Sequence, residues 1–166
     1  MSRSKKHFRD HDPSRRISMV DITEKQETLR EAIARGTIKM APETLELIRH
    51  NKIQKGDVLT SAKLAGIMAA KKTAELIPLC HPIQITYVDM KLNFLPDSSE
   101  IEIISVIRTR SSTGVEMEAL AAVAIAGLTI YDMCKQVDRE MILDNVRLVK
   151  KTGGKSGDYI LQSEQK

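Results

Sequence analysis

Four groups of residues in this chain could do chemistry. Asp132 and Lys135 lie three apart, so on a helix they share a face. That spacing ordinarily marks a surface ion pair worth a few tenths of a kcal/mol. It also suits proton transfer: burial lowers a lysine's pKa, a neighbouring carboxylate raises it again, and the lysine becomes a tunable donor. Glu116 and Glu118 stand at the other end of the same apolar run. Thr113 followed three residues later by Glu116 reads as a capping box, whereas Glu118 has no such task. His81 sits between Cys80 and Pro82. With no CxxC and no HExxH to accompany it, it reads as a structural histidine or an acid–base or substrate-binding group before a zinc ligand. Finally, Lys150 to Gly157 offers three lysines, three glycines and several backbone N–H groups, as phosphate-holding loops do. It is not a Walker A loop, because Val149 stands where the first glycine belongs and no helix pattern follows. The alternative is a mobile basic loop.

The first two groups are positioned by one element. Thr113 to Lys135 holds an uncharged middle, Ala119 to Ile130, of helix-favouring residues without proline. A helix apolar on every side must be buried on every side. One face is expected on a sheet, the other on a further element or a second subunit. Glu118 precedes Asp132 by 14 positions, pointing within about 40° of it but about 21 Å away along the axis. A single small reacting centre could not touch both ends of one copy. If both serve one site, two chains must meet there.

The rest of the chain supplies the frame. Residues 1–17 are polar and of mixed charge and read as a disordered lead-in. A single domain is expected over 18–160, with 161–166 as a polar tail. Thr28 to Met40 favours helix in its first half and alternates like a strand in its second. Pro42 begins a short helix that ends near Asn51. Asp57 caps a helix over Val58 to Ile77, which Pro78 and Pro82 stop. Ile83 to Leu95 and the run from Ile101 form a hairpin across Pro96-Asp97-Ser98-Ser99. Met141 to Lys150 supplies a last strand or two. This order predicts an α+β fold of ferredoxin-like type, an antiparallel sheet with helices packed on one face.

Composition narrows the class. The 166 residues are 42% hydrophobic and 29% charged, as in a globular protein with one core. No run of 18 uncharged apolar residues suggests a membrane span, and the N-terminus lacks the apolar region of a secretory signal. Two cysteines cannot make a disulfide framework, so a cytoplasmic setting is expected. The net charge of +4 allows an anionic partner, but aromatics are only 3%, too few for base-stacking platforms. Nucleic acid is therefore not an expected partner.

Several stretches are long and unusual together: KGDVL at 55–59, AGIMAAKKTAELIPLCHPI at 65–83, TGVEMEAL at 113–120, LTIYDMCK at 128–135 and KTGGKSGDY at 151–159, with MVD at 19–21 and PETL at 42–45. In these the chain resembles the cyclic pyranopterin monophosphate synthase family, the molybdenum cofactor biosynthesis protein C. The resemblance covers most of Met19 to Tyr159. It implies a phosphorus–oxygen lyase with a ferredoxin-like fold, assembled as a hexamer, a trimer of dimers, with sites shared between subunits. The implied substrate is a cyclised dihydroguanosine triphosphate, (8S)-3',8-cyclo-7,8-dihydroguanosine 5'-triphosphate, and the products are cyclic pyranopterin monophosphate and pyrophosphate. By that resemblance Asp132, Lys135 and Lys55 are catalytic. Leu79, Cys80 and His81 with Glu116, Met117 and Glu118 hold the base and sugar, and Arg30, Lys71 and Lys151 stand near the triphosphate. No resident metal or cofactor is expected, though magnesium could accompany the triphosphate. The rival expectation is a non-catalytic basic oligomer that binds nucleotides.

Overall fold

A computed structural model describes residues 17–155 and 157–162. The expected lead-in at 1–17 and the end of the polar tail lie almost wholly outside the described residues. The elements follow as β1 (Thr28–Lys39), α1 (Pro42–Arg49), α2 (Val58–Lys71), α3 (Thr73–Leu76), β2 (Ile85–Phe94), β3 (Glu100–Ser111), α4 (Glu116–Cys134), β4 (Ile142–Thr152) and β5 (Tyr159–Ile160). The strands form one sheet in the order β2-β3-β1-β4-β5 with every pairing antiparallel. The helix-linked strands β1, β2, β3 and β4 thus have the β-α-β-β-α-β arrangement of ferredoxin-like folds.

The core lies between the sheet and the pair α2 and α4. On β1 and β3 the buried residues alternate: Ala32, Ala34 and Ile38, then Ile101, Ile103, Ser105 and Ile107. This period of two sends one face of each strand to the helices. Small residues let the layers close. A Cβ on Gly36 would meet Val123 of α4 at 2.8 Å, and one on Gly66 would meet Met90 at 2.7 Å and the Ala122 carbonyl at 3.0 Å. In α4, Ala119, Ala122, Val123, Ala126 and Ile130 are fully buried. The helix has the length and apolarity of a membrane span, but that apolarity serves the core. Its remaining side is only partly covered, and Leu128 is 53% exposed.

Four sequence expectations need correction. Thr28 to Lys39 is strand throughout, because its helix-favouring residues form the central strand between β3 and β4. The Thr113–Glu116 capping box does not form: α4 begins at Glu116, with Val115 at the N-cap and no side-chain cap bond. The helix from Val58 breaks at Lys72 rather than running to Ile77. There the Thr73 hydroxyl donates to the carbonyls of Ala69 (3.0 Å) and Ala70 (3.2 Å), competing with the helical pattern. The basic segment from Lys150 is a loop only after Thr152, since Lys150 and Lys151 lie in β4 and pair with Ile160 and Tyr159. The expected cap at Asp57 is present, accepting from the Thr60 N–H at 2.9 Å.

Candidate active site

Helices α2 and α4 pack antiparallel, so each end of α4 meets the opposite end of α2. The turn before α2 lies beside the C-terminal end of α4. Gly56, at φ +109°, allows that turn, and Lys55 projects from it. Its ammonium donates to Asp132 Oδ2 at 2.8 Å and to the Asp132 carbonyl at 2.9 Å. Lys135 Nζ stands 2.7 Å from Oδ1. Each carboxylate oxygen therefore faces its own lysine. The hydrogen bond from Lys135, then that from Lys55, holds the Asp132 carboxyl down to about 2. Asp132 is thus ionised at neutral pH. All three side chains are solvent-accessible, Asp132 at 57%. The arrangement can present two oriented proton donors and their counter-ion to a ligand on the open side. Neighbouring Cys134 is fully buried, and burial followed by the charge of Asp138 pushes its thiol up to about 11.

The N-terminal end of α4 is built differently. Glu118 is only 3% exposed. Burial, aided by the charge of Glu116 and opposed by a backbone hydrogen bond, pushes its carboxyl up to about 7. It shares a cavity of about 350 Å³ with Leu79, Cys80, His81, Glu116 and Met117. Burial, and then the charge of Glu118, raises the Cys80 thiol, which is therefore a neutral group here. Such a lining offers carboxyl acceptors and a thiol to a heterocycle with N–H donors. A second cavity of about 560 Å³ adjoins the first through Lys25, Thr113, Gly114 and Glu116, and carries Lys25, Arg30, Lys151 and Lys155. Gly114 matters here: a Cβ would collide with the Glu116 carboxylate, which folds back over it. From there Glu116 Oε1 lies 3.2 Å from Lys151 Nζ. A third, smaller cavity of about 270 Å³ has Lys71 and Lys72 in its wall, with Glu118.

The nine residues expected to bind substrate thus line three neighbouring cavities around the N-terminal end of α4. Lys55, Asp132 and Lys135 gather at the other end and line none of these three cavities. Lys150 does not join the basic cavity; its ammonium lies 3.4 Å from Glu31, which also accepts from Arg108 at 2.7 Å. Lys25 was not singled out in the sequence, where it falls in no motif, and Lys72, inside the stretch at 65–83, was given no substrate role. Among the described residues no three His, Cys, Asp or Glu side chains cluster as a metal site would require.

Comparison with known proteins identifies this pattern. The model of the MoaC family matches residues 19–154. A protein of Desulforamulus reducens is 57% identical over 146 residues, 88% of this chain and 88% of its own length. One from Pelotomaculum thermopropionicum is 56% identical over 147 residues, 89% of this chain and 86% of its own. One from Chloroflexus aurantiacus is 51% identical over 159 residues, 96% and 98% of the two chains. All three are named cyclic pyranopterin monophosphate synthase.

Proposed function

The chain belongs to the MoaC family, and we propose that it carries out the reaction for which those relatives are named, the formation of cyclic pyranopterin monophosphate in molybdenum cofactor biosynthesis. The substrate on this reading is the cyclised dihydroguanosine triphosphate. The five-membered ring of the purine opens, a pyrazine ring closes, and a cyclic phosphate forms as pyrophosphate leaves. The observation that carries the reading is the extent of the family match. Residues 19–154 take in both ends of α4, Lys55 and all nine residues expected to bind substrate.

The roles follow the chemistry of each place. Glu116, Met117 and Glu118 with Leu79, Cys80 and His81 take the base and sugar, the carboxylates accepting from guanine-type N–H groups. Lys71 and Lys151 stand toward the triphosphate, with Arg30 in the wall of the same basic cavity as Lys151, and meeting the charge of pyrophosphate makes it a better leaving group. A magnesium ion would travel on the phosphate oxygens. Lys55 and Lys135, oriented by Asp132, move the protons of ring opening and closure.

The site joins two chains in this proposal. Glu118 and Asp132 are about 21 Å apart along the axis of α4, so the lysine–aspartate cluster of one copy completes the cavities of another. Exposed Leu64, Met68 and Leu128 on α2 and α4 suit burial between copies. A hexamer built as a trimer of dimers, working in the cytoplasm, fits this reading. The decisive assay gives purified protein the cyclic triphosphate and measures pyrophosphate. Release at a rate proportional to enzyme is expected. Tight binding without release would favour a nucleotide-binding scaffold instead.

A further inference from the structure

The larger basic cavity is walled by two segments that have left the sheet. Strand β3 ends at Ser111 and runs through Ser112 to Gly114 into α4; β4 ends at Thr152 and turns through Gly153 and Gly154. Between them lies β1, with Arg30 opposite Thr109 of β3 and Glu31 opposite Thr152 of β4. The Arg30 side chain reaches past the end of β3. Its Nε donates to the Ser111 carbonyl at 2.9 Å and its Nη2 to the Ser112 carbonyl at 3.0 Å. Two successive carbonyls thus take two arms of one planar fork, a geometry that a lysine ammonium does not reproduce. On its other side the guanidinium lies against Gly154, where a Cβ would collide with Nη1. A Cβ on Gly153 would collide with the Leu29 carbonyl. Both glycines have positive φ, +89° and +81°, so the loop crosses β1 in a conformation and at a distance suited to glycine.

We propose that Arg30 is a positioning residue, whose guanidinium ties the Ser111–Ser112 turn to the Gly153–Gly154 loop and so sets Glu116 and the start of α4 against Lys151. The proposal deepens the substrate reading above and rests on it for its kinetic consequence. Position 30 then needs the shape of arginine more than its charge. Two of its three nitrogens already serve carbonyl oxygens, and the third faces the Gly154 backbone. Gly154 is the second half of the device, because its missing side chain makes room for the guanidinium.

The test compares Arg30→Lys, Arg30→Gln and Gly154→Ala by hydrogen exchange and by kinetics. In Arg30→Gln the amides of residues 113–118 should exchange about tenfold faster or more, with the strands of the sheet unchanged. Arg30→Lys keeps the charge and should behave like Arg30→Gln. Both should raise KM about tenfold or more with kcat within about twofold, since Arg30 makes no contact with Lys55, Asp132 or Lys135. Two results would overturn the proposal: unchanged exchange at 113–118 in Arg30→Gln, or a near-normal KM in Arg30→Lys beside a large loss in Arg30→Gln, which is the behaviour of a plain phosphate cation. If Arg30→Gln does not fold, Gly154→Ala retains the arginine and its charge while displacing it. Faster exchange at 113–118 supports the brace, and wild-type exchange in the folded variant overturns it. The exchange measurement needs no substrate, so it stands apart from any failure of the proposed reaction.

Discussion

The two ends of α4 carry carboxylates in opposite circumstances. Asp132, 57% exposed, is held down to about 2 by two lysines. Glu118, 3% exposed, is pushed up to about 7 by burial. One helix therefore presents a carboxylate that stays charged and one that changes charge near neutrality. Environments that drive titratable groups apart are how a site divides acid, base and binding roles. The contrast also separates stability from chemistry. The exposed cluster costs the fold little and is open to a ligand, whereas the buried glutamate burdens the fold in its charged form.

The largest expected effect breaks the exposed end. Asp132→Asn keeps the side-chain shape but removes the charge that orients both lysines. Turnover should fall by about 10²–10⁴. Lys135→Ala and Lys55→Ala should do likewise, and the double variants should lose little more, because residues acting as a unit are not additive. Steady-state assays of singles and doubles check this. Fully additive losses would mean that the three act independently. Mixing sharpens the comparison: Asp132→Asn protein combined with Glu118→Gln protein should regain activity after subunit exchange, one mixed site being intact. Exchange verified by mass without recovery would place both residues in one chain's site, or remove Glu118 from it.

A smaller effect concerns the buried end. Glu118 has an ordinary value near 4.5 and a folded value of about 7. Its folded pKa is raised, so the folded state holds the proton more tightly than the unfolded one. Folding is then increasingly penalised as pH rises from about 4.5, and the penalty levels off above about 7. At about 1.4 kcal/mol per unit, the sum is roughly 3 kcal/mol. Glu118→Gln should escape it. Relative to wild type the variant should gain stability between pH 5 and pH 8, read from denaturant midpoints at one protein concentration without ligand. A pH-independent difference would show that Glu118 is not titrating in the fold.

Next come the phosphate cations. Lys151 lies 3.2 Å from Glu116 and lines the basic cavity. Lys71 lines the third. Replacing either with alanine should weaken substrate binding by about 1.5–3 kcal/mol, the worth of a charge-assisted contact, with a smaller change in folding. Calorimetric titration with the cyclic triphosphate would test each, and an unchanged binding constant would remove that lysine from the site.

How much of this was legible in the sequence depended on distance along the chain. The hairpin of β2 and β3, the Asp57 cap and the apolar helix are local patterns, and each appears where periodicity placed it, within a few residues. The strand at Thr28–Lys39 was half hidden, because Leu29, Glu31, Ala32 and Ala34 favour helix by propensity. Its signal was the alternation of Ala32, Ala34, Gly36 and Ile38, all buried, with Gly36 against Val123 of α4. Glu116 misled through a pattern that is valid elsewhere: its carboxylate goes to Lys151 and lies over Gly114 instead of capping. Lys55 and Asp132 are 77 positions apart. No spacing rule joins them, and only the family resemblance brought them together. The pairing of Arg30 with the carbonyls of 111 and 112 leaves no trace in sequence, because any residue supplies a carbonyl.

The smallest expected effect returns to Asp132. Its folded carboxyl titrates below its unfolded counterpart. Any stability the cluster lends is therefore present above the unfolded pKa, near 4, and lost as pH falls toward about 2. Water reaches all three side chains, however, and exposed ion pairs contribute little once solvent screening and side-chain entropy are counted. Asp132→Asn should therefore unfold at the wild-type denaturant midpoint at pH 7 and keep the wild-type assembly. Raising salt should move neither protein relative to the other. The same substitution that removes turnover should thus leave stability where it was, the reverse of what titration does at Glu118. A marked loss of stability at pH 7 would recast the cluster as a strut joining the α2 turn to α4. Its effect on turnover would then have to be re-read as a loss of structure.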